Sequence, residues 1–197
     1  RNRLFCALTA VGALAIASGN AAAASRTDLH RDNLAAVKQA NAAIAASGVA
    51  SMAHTRHEQA LGLDGESRLM LLDRKDSLGV RNHRYVQTFR GLPIFGEHVV
   101  VNEDASGNVR TLFGQKVAGL ASEIPNRAVR VNKARALRIA KSVGLGTDVG
   151  FMRTSNEKAD LMVFIGDDGR AHRAYVVSYF ADTLAGGSPM RPTVVVD

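Results

Sequence analysis

The sequence predicts an α+β protein made of two small units, each a helix with an antiparallel sheet, preceded by a leader and N-terminal helices. Three observations predict it. Apolar periodicity is helical up to about residue 62 and changes to an alternation of two from Ser67 onward. A punctuated stretch, "GLASEIPNRAV", then separates this run from a second helix followed by strands. Finally, 197 residues with 46% hydrophobic content suit one domain or two small ones. Aromatic residues make up 5% and Trp is absent, so the core is expected to be aliphatic.

The leader comes first. "RNRLFCALTAVGALAIASGNAAAAS" carries Arg1 and Arg3, then an apolar run, then small residues, and has no further charge until Arg26. A basic start, an apolar middle and an A-x-A-like end describe a secretory signal peptide, with cleavage expected near Ala22, Ala23 or Ala24. The apolar run is shorter than the roughly 20 residues that cross a bilayer. Cys6, the single cysteine, lies inside this leader, so no disulfide is expected in the exported part. A secreted or periplasmic product without stable membrane association follows.

Residues 25–62 read as an N-terminal helical segment. "TDLHRDNLAAVKQANAAIAASG" has Thr27 or Asp28 as a cap, Leu34, Val37 and Ile44 as a stripe, and Gly48 as a stop. "SMAHTRHEQALG" reads as a shorter helix from Ser51 to Gly62. It contains "HTRHE", which invites comparison with the zinc motif H-E-x-x-H. His54 and His57 are three apart and Glu58 follows the second, an order that matches neither that motif nor its inverse, so the segment reads as a solvated polar helix face.

Residues 63–120 read as four strands: "SRLMLLDRKD", "VRNHRYVQTFR", "PIFGEHVVVNED" and "NVRTLFGQKV". Short links imply an antiparallel meander with helices on one face. "DASGN" is the turn of the last hairpin, with Gly107 or Asn108 at positive φ. Tyr85, Gln87 and Phe89 share one face of their strand, opposite Arg84, Val86 and Thr88; Val99 and Val101 oppose His98 and Val100. Pro93, between Gly91 and Gly96, cannot donate to a ladder, which predicts an edge crossing or bulge there.

Residues 121–197 repeat the plan. After the linker with Pro125, "VNKARALRIAKSVGLG" reads as a helix capped by Asn132, striped by Ala136, Leu137, Ala140 and Val143, and stopped by Gly144. "ADLMVFIG" and "HRAYVVSYFAD" follow as strands around the turn "DDGR", and "TVVVD" as a last strand. No sequence repeat links the halves.

The chemistry is sparse. Asp167 and Asp168 read as turn residues, and His172 beside Arg173 has no partner identifiable in the sequence. There is no G-x-S-x-G, phosphate loop or C-x-x-C, so this chain is not expected to be an enzyme and no catalytic, cofactor or metal residue is assigned. The formal charge is +7, or +5 without Arg1 and Arg3. The basic residues are scattered and lack an aromatic ladder, which argues against nucleic acid and suits an acidic protein partner.

Within this reading, "HRYVQTFRGLPIFGEHVVVNEDASGNV" resembles the core motif of the fungalysin/thermolysin propeptide family, roughly R-Y-x-Q-x-Y/F-x-G-I/V/L-P-V/I-F/W/Y-G followed by a strand and D-x-x-G-x-V/I. The matching residues are Arg84, Tyr85, Gln87, Phe89, Gly91, Leu92, Pro93, Ile94, Phe95 and Gly96, then Asp104, Gly107 and Val109. Ala174, Tyr175 and Val177, with the strand from Pro192 to Asp197, are similar to the PepSY unit that follows in such precursors. The details look like vibriolysin and pseudolysin propeptides. The resemblance implies the pro-segment of a secreted zinc metallopeptidase, ending here before its processing site. It implies an intramolecular chaperone and inhibitor whose partner is the cognate catalytic domain. Zinc and calcium would belong to that domain and none to this chain. Arg84, Tyr85, Gln87, Gly91, Pro93, Gly96 and Tyr175 would serve as structural or interface residues. A free-standing secreted or periplasmic protease-inhibitor module is the other reading the same residues allow; a downstream H-E-x-x-H would decide for the first.

Overall fold

Ser25–Asp28 forms a strand, β1, where the sequence suggests the start of a helix. The computed structural model describes residues 23–48, 51–126, 129–183 and 188–197; the expected leader through Ala22, with Cys6, lies outside the described residues. β1 pairs antiparallel with the strand that ends the meander, from Ser25↔Ala118 to Asp28↔Gln115. Asp28 Oδ1 accepts the amides of His30 and Arg31, so the carboxylate does cap a turn, but of a strand exit rather than of a helix. That turn carries Leu29 into the core with no exposure. The helix α1 begins later, Leu34–Ala46, after Asn33. α2 spans Ala53–Ala60 and is entered at Met52, one residue past the expected Ser51.

The meander forms as read: β2 Ser67–Ser77, β3 Val80–Phe89, β4 Leu92–Asp104 and β5 Val109–Ala118. All neighbours in it are antiparallel. α1 and α2 pack on one face, where Leu69, Tyr85, Val99, Val101 and Leu112 meet Val37, Ala60 and Leu61. The alternation expected for Val99 and Val101 is observed, since both are buried while His98 and Val100 are half-buried.

The stretch read as a linker is more structured than expected. Leu120–Glu123 is a one-turn helix, α3, and Leu120 and Ile124 are buried with Phe89, Ile94, Val117, Val163, Ile165 and Ala171. Two large aliphatic residues on one side of a short polar segment anchor it between the sheets.

α4 spans Lys133–Leu145, and Asn132 caps it through its side-chain oxygen and the Arg135 amide, 2.9 Å. Its end differs from the expectation. Gly144 is helical, and the chain turns at Gly146. Val143 is 69% exposed and not part of the buried stripe, which consists of Ala136, Ala140 and Leu145 flanked by Leu137 and Ile139. Small residues let the helix lie close to the sheet, and Val143 falls outside that narrow contact. β6 Met152–Ile165, β7 Ala171–Thr183 and β8 Thr193–Val196 complete the fold. β6 starts earlier than predicted: its polar first half shows no apolar alternation, yet pairs with the far end of β7 through Met152↔Thr183.

The sheets join. β4 and β6 meet in parallel at Ile94↔Val163, giving the strand order β1-β5-β4-β6-β7-β8, with β3 and β2 attached beside β4. β4 thus serves both units, and its crossing lies in the Pro93 segment.

Candidate functional site

The motif residues occupy the hairpin β3–β4 and the crossing beyond it. Phe89 pairs with Leu92 across a two-residue turn, Arg90 and Gly91, with φ of 48° and 78°. Positive φ at both positions matches the twist of the strands, and glycine adopts it without a Cβ penalty. Arg90 is fixed by two bonds to Glu66, 2.7 and 2.8 Å, and one to the Ile124 carbonyl, 2.8 Å, with its guanidinium 4.8 Å from the Phe89 ring centroid. These contacts tie the hairpin tip to the segment leading into the second unit.

Pro93 sits opposite Thr88, and the register then breaks: Val86 pairs with His98, so four residues of β4 stand against Gln87. This is the irregularity expected at Pro93. Residues 94–97 swing toward β6, with Gly96 at φ 79° and Glu97 accepting the Arg26 Nε, 2.6 Å. The departure leaves Val117 of β5 without a backbone partner on the β4 side, while Arg26 of β1 stands opposite it on the other. Gln87 fills the gap: its Nε2 donates to the Val117 carbonyl, 2.7 Å, and its Oε1 accepts the Val117 amide, 2.9 Å. A carboxamide reproduces the donor and acceptor of a peptide group, which is why glutamine suits this buried position.

Toward α1 and α2 the same strands enclose a polar cluster. Glu103 is fully buried and shares the inward face with Val99 and Val101. Its carboxylate accepts His57 Nε2 at 2.8 Å and His83 Nε2 at 3.1 Å, and pairs with Arg56. His57 Nδ1 is 2.9 Å from the Tyr85 hydroxyl, and Arg56 Nε donates to Asn41, 3.1 Å, whose own amide holds the Gly107 carbonyl, 3.0 Å. Burial alone would raise the Glu103 pKa, but the donors His57 and Arg56 outweigh it and hold the carboxyl at about 2. Burial pushes His83 below its ordinary value, only partly offset by Glu103. Burial and then Glu103 drive the Tyr85 hydroxyl upward, so it stays protonated as a donor.

His57 therefore corrects the solvated-face reading of "HTRHE": it is 1% exposed, and both ring nitrogens are engaged. Glu58 instead accepts the Leu69 amide, 2.7 Å. The role of Glu103 escaped the sequence reading, although a carboxylate in phase with Val99 and Val101 is a usable signal for a buried charge. Among the described residues no three His, Cys, Asp or Glu side chains are placed to hold a metal, and the cluster's donors are already spent on Arg56 and on one another.

Tyr85 and Gln87 thus lie inside the molecule, whereas Arg84 is exposed on the face away from the helices. On that face Met70, Val86 and His98 line up across three strands, and Arg84, Val100 and Phe113 across the next row. Met70 is 47% and Phe113 46% exposed. Tyr175 belongs elsewhere: it pairs with Leu161 and Val196 and packs with the α4 cluster. Asp168 closes its turn through the Arg170 amide, 3.0 Å, and His172 does have a neighbour, Asp197, at 4.0 Å.

Residues 71–115, most of the meander, match the family model described as the Fungalysin/Thermolysin Propeptide Motif. The chain is 36% identical over 116 residues to a neutral protease of Vibrio proteolyticus, covering 58% of this chain and 18% of that protein. It is 29% identical over 110 residues to a hemagglutinin/proteinase of Vibrio cholerae, covering 55% and 17%. It is 34% identical over 88 residues to a transglutaminase-activating metalloprotease of Streptomyces mobaraensis, covering 43% and 11%. The chain spans less than a fifth of the length of these curated relatives. Among solved structures, the YpeB C-terminal domain of Bacillus megaterium aligns with a TM-score of 0.30 and 11% identity, over 74% of this chain and 57% of that one.

Proposed function

The chain carries a propeptide region of the fungalysin/thermolysin type, and from that premise we propose that it is the pro-segment of a secreted thermolysin-like zinc metalloendopeptidase. It acts as intramolecular chaperone and inhibitor of the catalytic domain. The observation that carries the reading is the match of residues 71–115 to that motif. Zinc and calcium belong to the catalytic domain, and no step of chemistry runs through this chain.

Position in the fold supports a division of labour among the motif residues. Gln87, Gly91, Pro93 and Gly96 build the crossing that joins the two units, and Tyr85 packs beneath α1 and α2. Arg84, with Met70 and Phe113 on the uncovered sheet face, offers an apolar surface with a basic rim to the partner. A folded surface that binds the partner's folding transition state lowers a barrier that strands large secreted proteases, and the same surface then holds the product inactive. Residues 121–197, with Tyr175, form the PepSY-like half of this surface, and residues 1–24 are the signal peptide that directs the precursor out of the cell. No described helix is long and apolar enough to cross a membrane.

The test adds the purified chain to the mature peptidase encoded with it. Peptide hydrolysis is expected to fall with increasing chain, and the yield of refolded, active enzyme to rise. Failure of both ends the proposal.

A further inference from the structure

The Arg56–His57–Glu103–His83 cluster joins elements that few other polar contacts hold together. Arg56 and His57 come from α2, Asn41 from α1, His83 and Tyr85 from β3 and Glu103 from β4. All of Glu103, His57, His83 and Asn41 are at most 3% exposed. A carboxylate can only accept, so both Nε2 atoms carry hydrogen; a His57 ring with no second hydrogen accepts the Tyr85 hydroxyl on Nδ1. In this arrangement the buried charge balances, one carboxylate against one guanidinium. Other charges stand at the margin. Arg81 is 4.0 Å from Glu103, Arg74 is paired with Asp76, Asp104 with Arg110, and Glu58 is turned to the Leu69 amide.

A proton added to either imidazole upsets that balance. The rings lie 5.2 Å apart, and among the described residues Glu103 is the carboxylate that pairs with both. A protonated His57 would also turn Nδ1 into a donor facing the Tyr85 hydroxyl, whose hydrogen must then find another acceptor inside the core.

We propose that this cluster is an acid-opened clasp: mild acidification releases α1 and α2 from the β2–β5 sheet while α4 stays docked on β6–β8. The inference stands on the cluster alone and does not depend on the proposed function. The sign follows from burial. The folded state holds His83 below 6.5, so its contribution is complete above that value and is lost as pH falls through the lower folded value. Glu103, held at about 2, keeps its contribution until below its ordinary 4.5 and loses it on the way down to about 2. His83 therefore acts first. Among the described residues the α4 contact has no buried ionic cluster: its core is Ala136, Ala140, Leu145, Ala159, Val177, Tyr179, Ala181 and Val196, and its ion pair Lys141–Glu157 is partly exposed, with the carboxyl held below its ordinary value by Lys141.

Amide hydrogen exchange of the whole chain between pH 7.5 and 5.0, corrected for intrinsic exchange, tests the clasp. Protection in α1 and α2 is expected to fall at least about tenfold, the equivalent of one pKa unit, while α4 changes less than about twofold. In His57→Gln/His83→Gln, which keeps a donor to Glu103 at each position, the fall is expected to shrink to that of α4. An equal response of all three helices, or an undiminished fall in the double variant, overturns the proposal. Should the double variant not fold, the ring signals of the wild-type histidines decide. His83 protonation at the midpoint of the α1–α2 exchange step supports the clasp, and protonation with exchange unchanged overturns it.

Discussion

The two places where helices meet sheet solve one problem with different chemistry. In the first unit α1 and α2 close over Glu103 and its donors, with the aliphatic residues Leu69, Val99, Val101 and Leu112 around them. In the second, α4 lies on β6–β8 through Ala136 and Ala140, with Tyr179 Oη donating to the Ala140 carbonyl, 3.2 Å, and a partly exposed ion pair, Lys141–Glu157, at the margin. The first contact gains direction from hydrogen bonds and becomes sensitive to the charge of its members. The second depends on close approach, so it responds to volume and hardly to pH. A polar clasp and a small-residue seam thus give similar architecture with opposite vulnerabilities.

Breaking the clasp should have the largest effect. Glu103→Gln removes the counter-charge of Arg56 and is expected to lower stability by about 3–5 kcal/mol in denaturant unfolding. The loss should be concentrated in the first unit, seen as early exchange of α1 and α2. The crossing comes next. Gln87→Ala leaves the buried Val117 amide and carbonyl unpaired and is expected to cost about 2–3 kcal/mol, whereas Gln87→Glu, which keeps the acceptor and offers a donor to the Val117 carbonyl only when its carboxyl is protonated, should cost less at low pH than at neutral pH. The seam is tested by Gly144→Ala. A Cβ there would overlap the Tyr179 hydroxyl, and the expected cost is about 1–3 kcal/mol, with no dependence on pH between 5 and 7. Val143→Ala, one residue away and exposed, is the control and should change stability by less than about 0.5 kcal/mol. A seam as pH-sensitive as the clasp would remove the distinction.

Which parts were legible follows from range. The meander, the Asn132 cap and the "DASGN" turn rest on local rules, namely alternation, side-chain capping and turn chemistry, and the observed elements agree. β1 and the first half of β6 were not legible, since each is a strand only because β5 or β7 offers an edge. The helix stop at Gly146 in place of Gly144, and the exposure of Val143, depend on how closely α4 approaches Tyr179, which periodicity does not contain. Within the motif, the sequence singled out Tyr85 and Gln87 by pattern without their reasons. The reason for Gln87 is a gap in a sheet that exists only because β4 leaves for β6.

By itself the sequence determined the α+β class, the succession of the four meander strands and the position of the crossing at Pro93, because backbone propensity and two-residue periodicity act within a few neighbours. The tertiary structure alone decided that one strand serves both sheets and that His57, His83 and Glu103, 20 to 46 residues apart, share a single buried charge balance. Desolvation belongs to a place in the folded molecule, and no stretch of chain carries it before the helices close over the sheet.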